Sequence, residues 1–172
     1  MEIEEFRKQF IDELRFNAEH EGTEPETQFI EKILNDLEEI GEINDPIPMS
    51  VEMRGARNRL LAFDAYAYDE ADGALILIAS DFTNQRDTAP TLTNTRIEEL
   101  YGRMINFVED SVQGSISKYC DDSNPALIIA NEFRKKIGKG MLSTEILRFK
   151  FFIISNATLS KQVKNLSNCL LY

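Results

Sequence analysis

The segment from Leu60 to Phe82, LLAFDAYAYDEADGALILIASDF, constrains the fold more than any other part of the chain. Asp72 and Gly73 tolerate the backbone angles of a tight turn between antiparallel strands. The run LILIA that follows is continuously apolar, which is typical of a strand covered on both faces. The segment therefore predicts a hairpin in which Leu60–Tyr68 pairs with Ala74–Phe82, inside a sheet flanked by helices.

The remaining segments alternate helices with two further strands. Apolar side chains recur at helical spacing, and KFFIIS is a second continuous apolar run. In the second helix Thr23 is interpreted as a cap and Glu26 as the glutamate of its capping box. The predicted helices cover about residues 2–20, 25–40, 97–112, 125–136 and 156–166, and the further strands cover 49–54 and 149–155. This order predicts one α/β (α+β) domain over residues 1–172, with an antiparallel meander and a returning strand.

Charge is distributed unevenly along the chain. Residues 1–45 contain 15 acids and 4 bases, which equals the whole net charge of -11. From Arg134 onward there are 8 bases and one acid, Glu145. These charges fit either solvated helix faces or, at the basic end, a surface that meets phosphate.

Several protein classes are disfavoured by the composition. No apolar run approaches the roughly 18 residues of a membrane span, and the acidic start MEIEEFRKQF is unlike a targeting signal. A cytoplasmic location without membrane contact is expected. Cys120 and Cys169 lack metal-binding spacing and His20 is the single histidine, which argues against zinc.

The element order resembles the core of the restriction-endonuclease-like, or PD-(D/E)xK, fold. In that superfamily an aspartate on the second strand and a (D/E)xK triplet on the third hold Mg²⁺ and orient the attacking water. Asp64 stands at the place of the aspartate, but the triplet position reads Ala79-Ser80-Asp81, without its acid and its lysine. Glu31 resembles an acid that many members add from the preceding helix.

A narrower resemblance extends from about Phe6 to Leu166. The hairpin FDAYAYDEADGALILIASDF, the helix EELYGRMINF and the late segment RFKFFIISNATLS are similar to the amino-terminal domain of abortive infection phage resistance (AIPR) proteins. The resemblance implies bacterial antiviral defence and a longer parent protein, of which this chain would be the N-terminal fragment. The expected partners are the C-terminal remainder of that protein or a second copy of the chain, and DNA or RNA as further candidates.

Three functional hypotheses stay open. The first is a degenerate nuclease-fold module that binds nucleic acid or a partner domain without catalysis and holds no cofactor. The second is a nuclease with a rearranged site, in which Asp64, Asp81 and Glu31 are catalytic and the two aspartates bind Mg²⁺ weakly. The third is an interaction or oligomerisation domain. The candidate nucleic-acid contacts are basic residues late in the chain, namely Arg134, Lys135, Lys136, Lys139 and Lys150.

Overall fold

A four-stranded sheet with the order β1-β2-β3-β5 organises the molecule. The computed structural model describes residues 3–138 and 145–163. The helices are α1 (Ile3–Glu21), α2 (Pro25–Glu39), α3 (Asn94–Gln113) and α4 (Pro125–Ile137), and the strands are β1 (Ile47–Arg54), β2 (Leu60–Asp69), β3 (Ala74–Asp81), β4 (Thr91–Leu92), β5 (Arg148–Ser155) and β6 (Thr158–Leu159). Lys139 and residues 164–166, which carry sequence predictions, lie outside the described ranges.

The sheet confirms the predicted hairpin and the returning strand. Strands β1, β2 and β3 form an antiparallel meander. Strand β5 then pairs in parallel with β3 along its whole length, from Ala74 opposite Arg148 to Asp81 opposite Ser155. The predicted mixed α and β class is therefore correct.

Helices cover both faces of this sheet, so β3 is buried on both sides. On one face α3 and α4 contribute Met104, Phe107 and Phe133 to a core that includes Leu75 and Leu77 of β3. On the other face α2 contributes Phe29 and Leu34, which belong to the same cluster as Ile76 and Ile78. The continuous apolar run in β3 is explained by these two cores.

The helix predicted for residues 156–166 is wrong over its described part. Asn156 instead pairs with the backbone of Thr83: its Nδ2 donates to the carbonyl oxygen at 2.8 Å and its Oδ1 accepts from the amide at 3.0 Å. These bonds turn the chain into β6, which lies parallel to β4 with Thr158 opposite Thr91. A pairing between segments so distant in sequence replaces the local helix.

No helix within residues 3–138 and 145–163 is long and apolar enough to span a membrane.

Candidate functional site

Asp64 lies where the regular alternation of β2 is interrupted. Phe63 and Tyr66 are three residues apart, yet they belong to one core and their rings lie 6.3 Å apart, whereas Ala65 faces the opposite core. Residues an odd number apart point to opposite faces of a regular strand. The register with β1 also shifts here, between Pro48 and Val51. The irregularity places the Asp64 carboxylate at the point where β2 and β3 stop pairing.

The carboxylate of Asp64 is bound by two groups of neighbouring strands. The Ser80 backbone amide donates to Oδ2 at 2.7 Å, and the Ser50 hydroxyl donates to Oδ1 at 3.4 Å. Burial raises the pKa of Asp64, and the Ser80 hydrogen bond opposes this rise because it favours the ionised form. Asp64 thus satisfies a backbone amide that the β2–β3 ladder leaves unpaired.

Asp81 is engaged by α3 and β5. Arg96 approaches Asp81 with Nε 2.7 Å from Oδ1, and the hydrogen bond raises the pKa of the guanidinium. The Ser155 hydroxyl donates to Oδ2 of Asp81 at 3.2 Å. Thr93 fixes the start of α3, because its Oγ1 accepts from the Arg96 amide at 3.3 Å. The cap therefore also positions the cation that neutralises Asp81.

Glu26, in the first turn of α2, is a carboxylate that the sequence interpretation missed. The Ser80 hydroxyl donates to Glu26 Oε1 at 3.3 Å. Burial, followed by the charge of Asp64, raises the pKa of Glu26. The expected capping box is absent from this helix, since the cap residue is Glu24 and no side chain caps the amides. Its position just after Pro25 made Glu26 look like part of a helix start, which concealed its contact with β3.

Asp64 and Glu26 both hydrogen-bond to Ser80, in a cleft of about 420 Å³ that is lined by residues of β1, β2, β3, α2 and α3. We call it the carboxylate cleft. Four acidic and two basic side chains line it: Glu24, Glu26, Glu52, Asp64, Arg96 and Arg103. Asp81 joins this group through its ion pair with Arg96. Three of these carboxylates, Glu26, Asp64 and Asp81, each accept at least one hydrogen bond from a neighbouring element.

The other predicted site residues lie elsewhere. Glu31 is exposed and lines a groove between α1 and α2. Lys150 pairs with Asp69 and Asp72, each at 2.8 Å, beside the hairpin turn. Lys136 pairs with Glu145 at 2.8 Å and lies over the ring of Tyr68. The structure therefore brings together Asp64 and Asp81 but not Glu31 or the basic residues.

Two further basic residues belong to α4. Arg134 is half-buried and its guanidinium packs against Gly114 at the end of α3, whereas Lys135 is exposed. Both lie in the last turn of the helix, where positive charge interacts favourably with the backbone dipole. A favourable interaction with the dipole of α4 therefore explains these two positive charges, and a contact with phosphate is not needed to explain them.

Carboxylates in and beside the carboxylate cleft are already engaged by protein groups. Within residues 3–138 and 145–163, no three His, Cys, Asp or Glu side chains are grouped so that they could hold a metal ion. Mg²⁺ favours carboxylate oxygens arranged octahedrally together with water. Here one oxygen of Asp64 is directed at an amide and Asp81 is neutralised by Arg96.

The fold and the cleft define a mixed α and β domain in which Asp64 and Asp81 hydrogen-bond to groups of neighbouring strands and of α3. Residues 29–169 match the family model described as the abortive infection phage resistance protein N-terminal domain. The match spans most of the 172 residues, so the chain belongs to this family. Membership implies a role in anti-phage defence by abortive infection. No curated protein and no solved structure gives a significant match.

Proposed function

We propose that this domain is a non-catalytic nuclease-fold module of an abortive-infection defence protein and that it binds the remainder of its parent protein. The ion pair between Arg96 and Asp81 is the observation that carries the proposal. It places a positive charge 2.7 Å from the carboxylate that a catalytic cation would need. A cation at Asp81 would have to compete with Arg96 for Oδ1 and with the Ser155 hydroxyl for Oδ2.

Ala79 supports the same interpretation. It stands where the triplet of an active nuclease has its acid, and its small apolar side chain is 3% exposed and lines the carboxylate cleft. Alanine supplies no oxygen to a cation, so the cleft lacks the carboxylate that the triplet would add beside Asp64. The missing acid at Ala79 and the pairing of Asp81 with Arg96 therefore both support a non-catalytic module.

The charge distribution favours a protein partner over nucleic acid. The chain carries a net charge of -11, and nucleic-acid binding depends chiefly on unpaired positive charge that replaces counterions on phosphate. Lys136 and Lys150 already have carboxylate partners. A partner domain that contacts the acidic α1–α2 side does not require unpaired positive charge on this chain.

A cleavage assay tests the absence of catalysis. Single- and double-stranded DNA and RNA are incubated with the purified chain in Mg²⁺ or Mn²⁺, beside the variants Asp64→Asn and Glu26→Gln. We expect no cleavage by the wild type or by either variant. Cleavage by the wild type that both variants abolish would overturn the proposal, because contaminating nuclease would be insensitive to these substitutions.

Binding to the two classes of partner is measured separately. Isothermal titration of the chain with the separately purified remainder of the parent protein should show saturable binding, and titration with the four nucleic acids should show none at physiological salt. The reverse pattern would overturn the proposed partner. A salt series identifies phosphate contacts, since their affinity falls steeply as salt rises.

A metal-dependent nuclease is the second candidate function, and the approach of Glu26 to Asp64 favours it. Both groups have a raised pKa, and the charge of Asp64 contributes to the rise at Glu26. A divalent cation between them would relieve this repulsion. Titration with Mn²⁺ separates the candidates: binding that both Glu26→Gln and Asp64→Asn weaken supports the nuclease, and the absence of saturable binding supports the non-catalytic module.

A further inference from the structure

The four-stranded sheet has two edges, and one of them is protected against pairing with a further strand. Strand β1 forms this edge, and β5 forms the other. β1 contains Pro48, which has no amide to donate, and its register with β2 shifts between Pro48 and Val51. Proline and irregular register at an edge hinder the addition of a strand. The β1 edge is therefore a poor surface for pairing.

The β5 edge has neither of these features. β5 contains no proline, and its register with β3 is unbroken from Arg148 to Ser155. Lysine at an edge also hinders pairing, but Lys150 is held by Asp69 and Asp72 at 2.8 Å each. In the part of the chain that the structure describes, no strand pairs with the outer side of β5. A long edge of this kind is a site for strand addition.

The side chains of β5 are largely apolar and incompletely covered. Phe149, Phe151 and Ile153 are half-buried and pack against the core formed with α3 and α4. Phe149 stacks on Phe151 with ring centroids 6.4 Å apart. Phe152 is half-buried against the opposite core. In the inner strand β3, by contrast, every residue from Ala74 to Ser80 is buried. A further strand beside β5 would complete the cover of its apolar side chains.

The backbone groups on the outer side of β5 can be assigned from the pairing with β3. The Arg148 amide donates to the Gly73 carbonyl oxygen at 3.2 Å, toward β3. Since alternate residues of a strand direct their amide and carbonyl to opposite neighbours, the even-numbered residues of β5 bond to β3. The amides and carbonyls of Phe149, Phe151 and Ile153 therefore lie on the outer edge. Among the described residues, none of these three has a backbone partner on that side.

These outward groups are symmetrical about Phe151, so they fit a second copy of the same strand in antiparallel orientation. With Phe151 opposite Phe151 of the second copy, Phe149 lies opposite Ile153 of that copy. Residues of a hydrogen-bonded antiparallel pair exchange both of their backbone bonds. One register about a two-fold axis thus satisfies all the outward amides and carbonyls of both copies.

The charges of β5 are compatible with this register. Arg148 and Lys150 lie in its first half, and β5 contains no acid. Antiparallel pairing about Phe151 places Lys150 opposite Phe152 of the second copy and Arg148 opposite Ile154 of that copy. The arginines of the two copies are then six positions apart, which is about 20 Å at 3.4 Å per residue. Like charges therefore do not meet across the interface.

We propose that β5 pairs antiparallel with β5 of a second copy of this chain, so that one sheet continues through both copies. The interface contains none of the residues of the carboxylate cleft and does not involve the remainder of the parent protein. The proposal is therefore independent of the proposed function.

Charge substitutions at Phe151 test the interface in the full chain. Sedimentation equilibrium from micromolar to millimolar concentration should show a monomer–dimer equilibrium for the wild type. Phe151→Lys alone and Phe151→Glu alone should each weaken self-association at least severalfold, because like charges then lie directly opposite each other. An equimolar mixture of the two variants should recover the dimer. A wild type that stays monomeric at every concentration, or a dimer that both variants leave unchanged, would overturn the proposal.

A cysteine test determines the register and does not depend on the charge variants. In the full chain with Cys120→Ser and Cys169→Ser, Phe151→Cys should form an intermolecular disulfide, since paired residues lie within the Cα separation that a disulfide bridges. Lys150→Cys is the matched control, because Lys150 lies opposite Phe152 and not opposite itself. Circular dichroism checks that each variant is folded. Disulfide formation at both positions alike, or at neither, would overturn the proposed pairing.

Discussion

Substitution of Gly55 by alanine should destabilise the domain, because the space beside its Cα is occupied by buried atoms. A Cβ at this position would lie 2.5 Å from Cδ1 of Leu61 and 2.7 Å from Oδ2 of Asp110. Favourable contacts between carbon atoms are about 3.5 to 4.0 Å, so Leu61 must move by roughly 1 Å. Leu61 is fully buried and the Asp110 side chain is 2% exposed, so neither neighbour can turn into solvent.

The size of the effect follows from these contacts. Overpacking of a close-packed interior costs about 1 to 3 kcal/mol. Asp110 also accepts a hydrogen bond from Arg59 through Oδ1, and any shift of its carboxylate weakens that bond. We therefore expect Gly55→Ala to lower the free energy of unfolding by about 2 to 3 kcal/mol. With a urea m value of about 2 kcal/mol/M, the denaturation midpoint falls by about 1 to 1.5 M.

Gly102→Ala is the matched control. Gly102 lies within α3, and a Cβ there would meet nothing within 4 Å. Alanine in a helix interior stabilises by about 0.5 to 1 kcal/mol relative to glycine. The same chemical change should therefore raise the urea midpoint at Gly102 and lower it at Gly55. A Gly55→Ala midpoint equal to or above the wild-type value would refute the packing argument.

Three further effects should be measurable by urea denaturation. Arg96→Gln should cost about 1 kcal/mol, since it removes a partly exposed partner of Asp81; an unchanged midpoint would contradict this role. Because Asp64 has a raised pKa in the folded state, its contribution to stability falls as the pH rises above about 4. The free energy of unfolding of Asp64→Asn relative to the wild type should therefore increase with pH, and a decrease would contradict the assigned burial. Asn156→Ala should cost about 1 to 3 kcal/mol through the two lost bonds to Thr83, and wild-type stability would exclude them.

The fold was largely predictable from the sequence because its strongest signals are local. The Asp72-Gly73 turn and the apolar β3 and β5 runs specify a hairpin and a doubly covered sheet without reference to distant residues. Gly73 adopts a φ of 60°, as the turn prediction requires. The short β4–β6 pair was not predictable in this way, since Thr91 and Thr158 are brought together only by the folded sheet.

The candidate site was predictable only in part. Asp64 and Asp81 were identified from their place in the hairpin, but the apolar and polar residues of FDAYAY alternate too regularly to reveal the break at Asp64. Arg96 is one of several charged residues on α3. Its ion pair with Asp81 depends on where α3 begins, and the sequence does not show that this residue rather than another pairs with Asp81. Glu26 fits the pattern of a helix start. The contacts of Asp64, Arg96 and Glu26 join different helices and strands. No spacing in the sequence indicates such contacts.

Helix α2 contributes side chains to two separate surfaces of the domain. Its first turn places Glu26 in contact with Ser80, and two turns later Ile33 lines an apolar groove beside α1. The two residues are seven positions apart, which is about 10 Å along the helix at 1.5 Å per residue. One continuous helix thus contributes side chains both to the carboxylate cleft and to the surface beside α1.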